Sequence, residues 1–300
     1  MNNTILYVIT VLVWGTTWFA IKLQVGLAPN EISILYRSAL AATFLLAWCK
    51  FKKFSLQFKV IDHVFLCALG LSMFSLHYLF VYNATVYIVS GVVAVVFSGM
   101  CFLSILNNYI FYRTKPSFNL CLGALIGVSG LCVFFWDEIA RSTLENNTLK
   151  GLGLAAIGTI IFSLGSSISR RNHDKGLDII PSMAIGMVYG TLAMLIYAFA
   201  QRSHFVLPKS FIYWSSLLYL VIPGSIVAFL CYLKLIKNIG PELASYTTVL
   251  FPIVALIVSS ALEGYTWSAT DLLGLILVLL GNIIVMRKKS LKGVFIPKRK

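Results

Sequence analysis

The sequence predicts an all-α membrane protein with ten transmembrane helices, arranged as two inverted five-helix repeats around a central cavity. Three observations carry this expectation. Of 300 residues, 59% are hydrophobic and only 11% are charged, against roughly 25% charged in soluble domains. Apolar runs of about 20 residues, the length a bilayer core requires, recur along the whole chain. The stretch from Ile88 to Gly130 also matches the stretch from Ile239 to Gly281 at a shift of 151 residues, placing Gly123 on Gly274 and Gly130 on Gly281. Each copy reads as an apolar helix, a brief polar link, and a second apolar helix with two glycines seven residues apart. Such glycines share a helical face on which a neighbouring backbone approaches closely.

Ten spans follow in order: 5–24, 32–50, 62–82, 84–108, 117–136, 150–169, 180–200, 212–233, 242–262 and 268–286. They group into a first repeat at 1–137, a second at 150–286 and a basic tail at 287–300. The links between them are short, and no strand is expected, because an open sheet edge in lipid would leave backbone groups unpaired. The start, Met-Asn-Asn-Thr, carries no basic region, and the first apolar run is expected to be a full span and not a cleaved signal.

Orientation follows from Lys and Arg. With the N-terminus inside, 18 of the 24 basic residues fall in inside links and the tail, 5 fall outside, and Arg37 alone lies within a span. This positive-inside bias places both termini in the cytoplasm, with the tail free to meet anionic lipid; the expected location is a bacterial inner membrane. An odd number of spans per half makes the second half enter from the opposite face, so the repeats are inverted, as in many secondary transporters. The net charge of +14 is scattered between apolar segments, so it reads as topology and not as a nucleic-acid surface. The six cysteines lie in or beside apolar segments without Cys-x-x-Cys spacing and read as small apolar fillers. Nothing calls for a cofactor or a metal. The expected partners are the lipid bilayer and a small-molecule substrate, with monomer and homodimer left open.

The run from Val13 to Lys22, together with Tyr36-Arg37, the stretch from Ser90 to Ser98 and the stretch from Ile239 to Ser245, resembles the drug/metabolite transporter superfamily. The closer likeness is to its ten-helix EamA-type branch. Phe251-Pro252, then Leu262-Glu263-Gly264, Gly274 and Gly281 look like that branch's closing pattern; where the first half would repeat the proline and glutamate, it has Cys101 and Tyr112. The resemblance implies export or exchange of amino acids, related metabolites or drugs. It also implies a central cavity drawn from spans one, three, four, six, eight and nine.

Mapped onto this chain, the candidates are specific. Trp14 and Trp18 share one face of the first helix, with Thr17 beside them; they are read either as a cavity wall that stacks on a ligand or as lipid-facing tryptophans. Ser90, Ala94 and Ser98 form a small-residue stripe, read as a helix contact or a cavity wall. His77, with Tyr78 and Tyr82, is a polar ring within a span and so is expected to face protein or water. Tyr246 and Thr248 precede Pro252 on the ninth helix, where the proline frees a backbone carbonyl; they are read either as part of the cavity or as the site of a packing kink.

Lys22, Arg37 and Glu263 are placed toward the outer ends of their spans, where long side chains snorkel. Arg37 starts further in and needs a partner, for which Glu31 and Glu263 are the candidates. Lys22 and Arg170 fall at related positions of the two halves near opposite faces, which suggests alternating gates.

No Asp or Glu lies near the middle of any span, which argues against carboxylate-driven drug antiport and favours facilitated movement or exchange. His77 remains a proton carrier in principle. An intramembrane enzyme would need a nucleophile with its base, paired aspartates or a metal cluster, and the sequence offers none. A receptor or structural protein would need longer external parts. Aromatic residues and few interior charges favour a small amphipathic substrate such as a neutral amino acid, with multidrug efflux and S-adenosylmethionine-type metabolites as alternatives.

Overall fold

The structure is a computed structural model that describes residues 2–113, 118–134, 136 and 146–288. The expected tail from 289 onward, the link 137–145 and the loop around Lys115 lie outside the described residues. Among the described residues the chain is all-helical, with one isolated bridge between Val25 and Ala28 and no strand. Seven of its helices are long and apolar enough to cross a membrane.

In chain order the helices are α1 (Asn3–Lys22), α2 (Asn30–Phe51), α3 (Val60–Tyr87), α4 (Ser90–Tyr112), α5 (Phe118–Phe134), α6 (Asn146–Asp174), α7 (Ile179–Ala200), α8 (Phe211–Pro241), α9 (Thr247–Leu262) and α10 (Ala269–Lys288). Local chemistry sets their ends. Asn2 caps α1 by accepting from the Thr4 N–H at 3.3 Å, answering one of the orphan donors at a helix start. Beyond the end of α6, Gly176 adopts φ 79° while its N–H and that of Leu177 return to the carbonyls of His173 and Asn172. This left-handed turn is one that a glycine makes without a Cβ penalty.

Several boundaries differ from expectation. The break expected near residue 83 comes at Ile88 and Val89, because α3 stays helical through a π-helical stretch, Leu71–Ser75. A second π stretch, Leu220–Val227, surrounds Pro223 within α8. There the proline removes a backbone donor and the wider turn absorbs the mismatch. The α8 helix runs past its expected end at 233 until Gly240, where φ 83° and ψ 161° break it. After a further turn at Ser245 and Tyr246, α9 begins at Thr247, later than the expected 242.

Glycines set the tightest approaches. A Cβ built on Gly274 of α10 would lie 2.4 Å from the Phe134 nitrogen of α5; one on Gly130 of α5 would lie 2.6 Å from the Val278 nitrogen of α10. These helices therefore meet backbone to backbone, as the glycine spacing suggested. The main core joins α1, α2, α3, α4, α6, α7, α8 and α9, with Trp14, Phe74, Phe162, Phe229 and Tyr232 among its buried aromatics.

Candidate functional site

Inside that core lies a void of about 30 Å³. The α1 helix presents Trp14, Thr17, Trp18 and Ile21 to it. Facing them are Arg37 of α2 and His77, Tyr78 and Val81 of α3; Phe97 of α4, Phe162 of α6, Phe229 of α8 and Phe251 of α9 complete the wall. Seven helices converge here, α2 being an addition to the six that the resemblance implied.

The aromatic residues form two groups around the tryptophans. Trp14 packs on Phe162, Phe229 and Tyr232 with ring centroids at 5.8, 5.1 and 4.9 Å. Its indole N–H donates to the Gly224 carbonyl at 3.3 Å, which lies in the π-helical stretch of α8. Trp18 packs on Phe97 and Phe251 at 5.3 and 5.5 Å, and its indole nitrogen is buried without a hydrogen bond. Both tryptophans are buried in protein, so neither faces lipid. His77 lies 3.8 Å from the Tyr78 ring and 5.1 Å from Phe162.

Arg37 is held on one side by hydroxyls. Its Nε donates to Ser225 Oγ at 2.7 Å and its Nη2 donates to the Tyr78 hydroxyl at 2.6 Å. The guanidinium carbon stands 3.9 Å over the Tyr78 ring. Sequence reasoning placed this arginine one to two turns inside the outer end of its span, with Glu31 or Glu263 as its partner; the partners are otherwise. Arg37 is 2% exposed, Glu31 accepts from Ser203 and Glu263 accepts from Ser90.

Several other expectations are corrected. Tyr82 is buried but points its hydroxyl to Gln24 Oε1 at 2.8 Å and does not line the void. Ser90, Ala94 and Ser98 are fully buried within helix contacts, as in the packing alternative; Ser90 bonds Ser259 at 3.2 Å, and Ser98 returns to the Val95 carbonyl at 2.6 Å. Tyr246 packs with Cys101, Ile105 and Val249, and Thr248 donates to the Ser245 carbonyl at 2.5 Å. Neither lines the void: Tyr246 stands in the turn before α9 and Thr248 in its first turn. Of the cysteines, Cys49, Cys101 and Cys231 are buried, but Cys132 is exposed.

The polar residues assigned to gates lie at helix ends. Lys22 is half-buried, and its Nζ donates to the Thr85 carbonyl at 2.7 Å. Arg170 donates to Asn108 at 2.5 Å, stands 4.0 Å over the Tyr112 ring and approaches Asp174 at 3.7 Å. It borders a polar cleft of about 280 Å³ that also involves His173, Lys237 and Gly240.

Sequence reasoning missed Phe97, Phe162, Phe229, Phe251 and Ser225. Phe97 and Phe251 stood inside quoted motifs, so their proximity to those motifs was an available signal; Phe162 and Phe229 were not distinguishable among 21 phenylalanines.

Known proteins resemble this chain along its length. PagO of Salmonella typhimurium is 22% identical over 294 residues, covering 97% of this chain and 95% of its own. An uncharacterized transporter of Archaeoglobus fulgidus is 27% identical, covering 96% of this chain and 100% of its own. YedA of Escherichia coli, an uncharacterized inner membrane transporter, is 24% identical over 93% and 89%. A solved crystal structure shares the fold with a TM-score of 0.72 at 16% identity, covering 94% of this chain and 96% of that one. The model of the EamA-like transporter family matches residues 2–136 and again 149–287; this membrane protein belongs to the EamA-like transporter family.

Proposed function

We propose that the chain is a secondary transporter that moves small amphipathic metabolites, amino acids or related compounds, by alternating access as an exporter or exchanger. The observation that carries this reading is the buried aromatic void where α1 meets α6, α8 and α9. At about 30 Å³ it holds little more than a water or two, far below the roughly 300–1,000 Å³ of ligand pockets. A substrate therefore enters only when the helices around it move, as alternating access requires.

In this reading the chain has ten spans in two inverted units, 1–137 and 150–286, with both termini cytoplasmic in a bacterial inner membrane. The paired π stretches support it, since Leu71–Ser75 and Leu220–Val227 fall in the third helix of each unit. The recurrence of the family match supports it as well, as does the YedA likeness for the membrane. Lys22 with Thr85, Glu263 with Ser90, and Arg170 with Asn108 are then contacts that the two gates make and release. Multidrug efflux and S-adenosylmethionine-type metabolite transport are the competing readings, and the buried guanidinium of Arg37 opposes cationic drugs that carry no acid.

The test is counterflow in proteoliposomes loaded with a mixed pool of amino acids and nucleoside-type metabolites, with Trp14→Ala and His77→Ala beside the unmodified chain. Exchange of a defined subset, weakened by both substitutions, is expected. Exchange indifferent to both would keep transport and remove this cavity from it; no exchange by folded protein would remove the transport reading itself.

A further inference from the structure

Among the described residues the void is lined by one full positive charge and no negative one. Arg37 lies seven residues into α2, about 10 Å along the helix at 1.5 Å per residue, and is 2% exposed. Ser225 and Tyr78 supply lone pairs to Nε and Nη2 but no charge. The remaining terminal nitrogen, Nη1, is buried and makes no hydrogen bond. The Trp18 indole nitrogen, on the wall of the same void, is also buried without one.

No counter-ion is supplied from within. Among the described residues no carboxylate stands within salt-bridge distance of Arg37; the ion pairs there are Arg170 with Asp174 and Arg171 with Asp62. An ionised side chain inside a membrane protein is costly and normally faces a partner or a substrate pathway. Its fork of donors matches a carboxylate or a phosphate, and as a single positive charge among the lining residues it balances one carboxylate and not a doubly charged phosphate. Arg37 is therefore a cation fixed by neutral acceptors on one side, with a donor left over at the cavity.

We propose that the cavity takes an amphipathic organic anion, with a single carboxylate seated on Arg37 and an apolar or aromatic body against Trp14, Phe97, Phe162 and Phe229. This rests on reading the void as the substrate cavity. The Trp18 N–H is a further donor for the same head group. Among the described residues no acid lines the void, so an amine on the substrate meets only aromatic faces and neutral oxygens there. A substrate with an amine and no acid is repelled by Arg37. A simple carboxylate and a zwitterionic amino acid share the anionic head that the site recognises.

The test is equilibrium binding of three radiolabelled probes to the purified full chain in lipid nanodiscs: 3-phenylpropionate, phenylalanine and phenethylamine, which share a ring and differ in charge. The two acids are expected to bind at least tenfold more tightly than the amine, and their ranking tells the simple carboxylate from the zwitterion. Arg37→Gln is expected to weaken both acids at least tenfold and to erase the preference, with Arg37→Lys retaining part of it. Ser225→Ala, which removes only the Nε acceptor, is expected to give a milder loss in a variant that folds more readily. Amine binding equal to acid binding, or acid binding indifferent to Arg37→Gln in folded protein, overturns the charge assignment. If Trp14→Ala still abolishes binding in that case, the cavity reading stands alone; if folded, unmodified chain binds none of the probes, both readings fall.

Discussion

The Glu263 carboxylate at the end of α9 closes the first turn of α4, accepting from the Ser90 N–H at 3.1 Å and from the Ser90 hydroxyl. Ser259, one turn earlier, donates to the same carboxylate at 2.8 Å and accepts from the Gly91 N–H at 2.9 Å. The orphan donors and positive dipole end of α4 are thus satisfied by a helix far along the chain. Replacing Glu263 with Ala is expected to cost about 1–2 kcal/mol, the usual worth of a helix cap with charge. In a cycle with Ser90→Ala, the two should couple by about 0.5–3 kcal/mol. Thermal unfolding in detergent measures it, and strictly additive losses would show that the cap does not act as a unit.

Trp14 is both wall and ligand candidate, so its substitutions need separating. Trp14→Ala removes the packing against Phe162, Phe229 and Tyr232 and is expected to destabilise by about 3–5 kcal/mol while lowering exchange at least tenfold. Trp14→Phe keeps a ring but loses the bond to the Gly224 carbonyl, at about 0.5–1.5 kcal/mol. Counterflow by Trp14→Phe is expected to persist with a raised half-saturation concentration. Unchanged transport in both variants would place the substrate elsewhere.

Seven of the helices were legible because their apolar runs are long enough to cross a bilayer, and the glycine pair because its spacing puts both on one face. What escaped depends on which helices cross at one height. The depth of Arg37 could be read from its place in the span, but its partners Tyr78 and Ser225 lie 41 and 188 residues away, and nothing in their local sequence marks them. Tyr246 and Thr248 misled for a local reason: Tyr246 stands in the turn before α9, and Thr248 sits in the first turn of α9, where its hydroxyl returns to the Ser245 carbonyl. Boundaries slipped in α3 and α8 because π stretches lengthen a helix without any break in hydrophobicity.

Arg171 of α6 ties down the start of α3. Its Nη1 donates to Asp62 Oδ1 at 2.9 Å, and its guanidinium carbon stands 3.7 Å over the Phe65 ring. With the two side chains only 20% and 12% exposed, salt should screen the pair weakly. Arg171→Lys keeps the charge and loses the planar stack, so it is expected to destabilise nearly as much as Arg171→Ala. A double-mutant cycle with Asp62→Asn, run at low and high ionic strength, checks this. Coupling of about 0.5–3 kcal/mol that survives salt is the expected result; coupling that vanishes in salt would make the pair a surface contact.

Where α5 meets α10, there is no room for a side chain. The atoms that a Cβ on Gly274 or Gly130 would strike are backbone, Phe134 N at 2.4 Å and Val278 N at 2.6 Å, so relief requires the helices to part. Overpacking of this kind costs about 1–3 kcal/mol, more than the roughly 0.8–1 kcal/mol that alanine gains over glycine inside a helix. Gly274→Ala and Gly130→Ala are therefore each expected to lower the unfolding temperature. Their combination should cost less than the sum, because one separation of the helices relieves both clashes. Gly153 of α6 provides the control: a Cβ there would meet nothing within 4 Å, so Gly153→Ala is expected to be neutral or stabilising by about 0.4–1 kcal/mol. If Gly274→Ala unfolds at the same temperature as Gly153→Ala, the two helices are not held by backbone contact at that point.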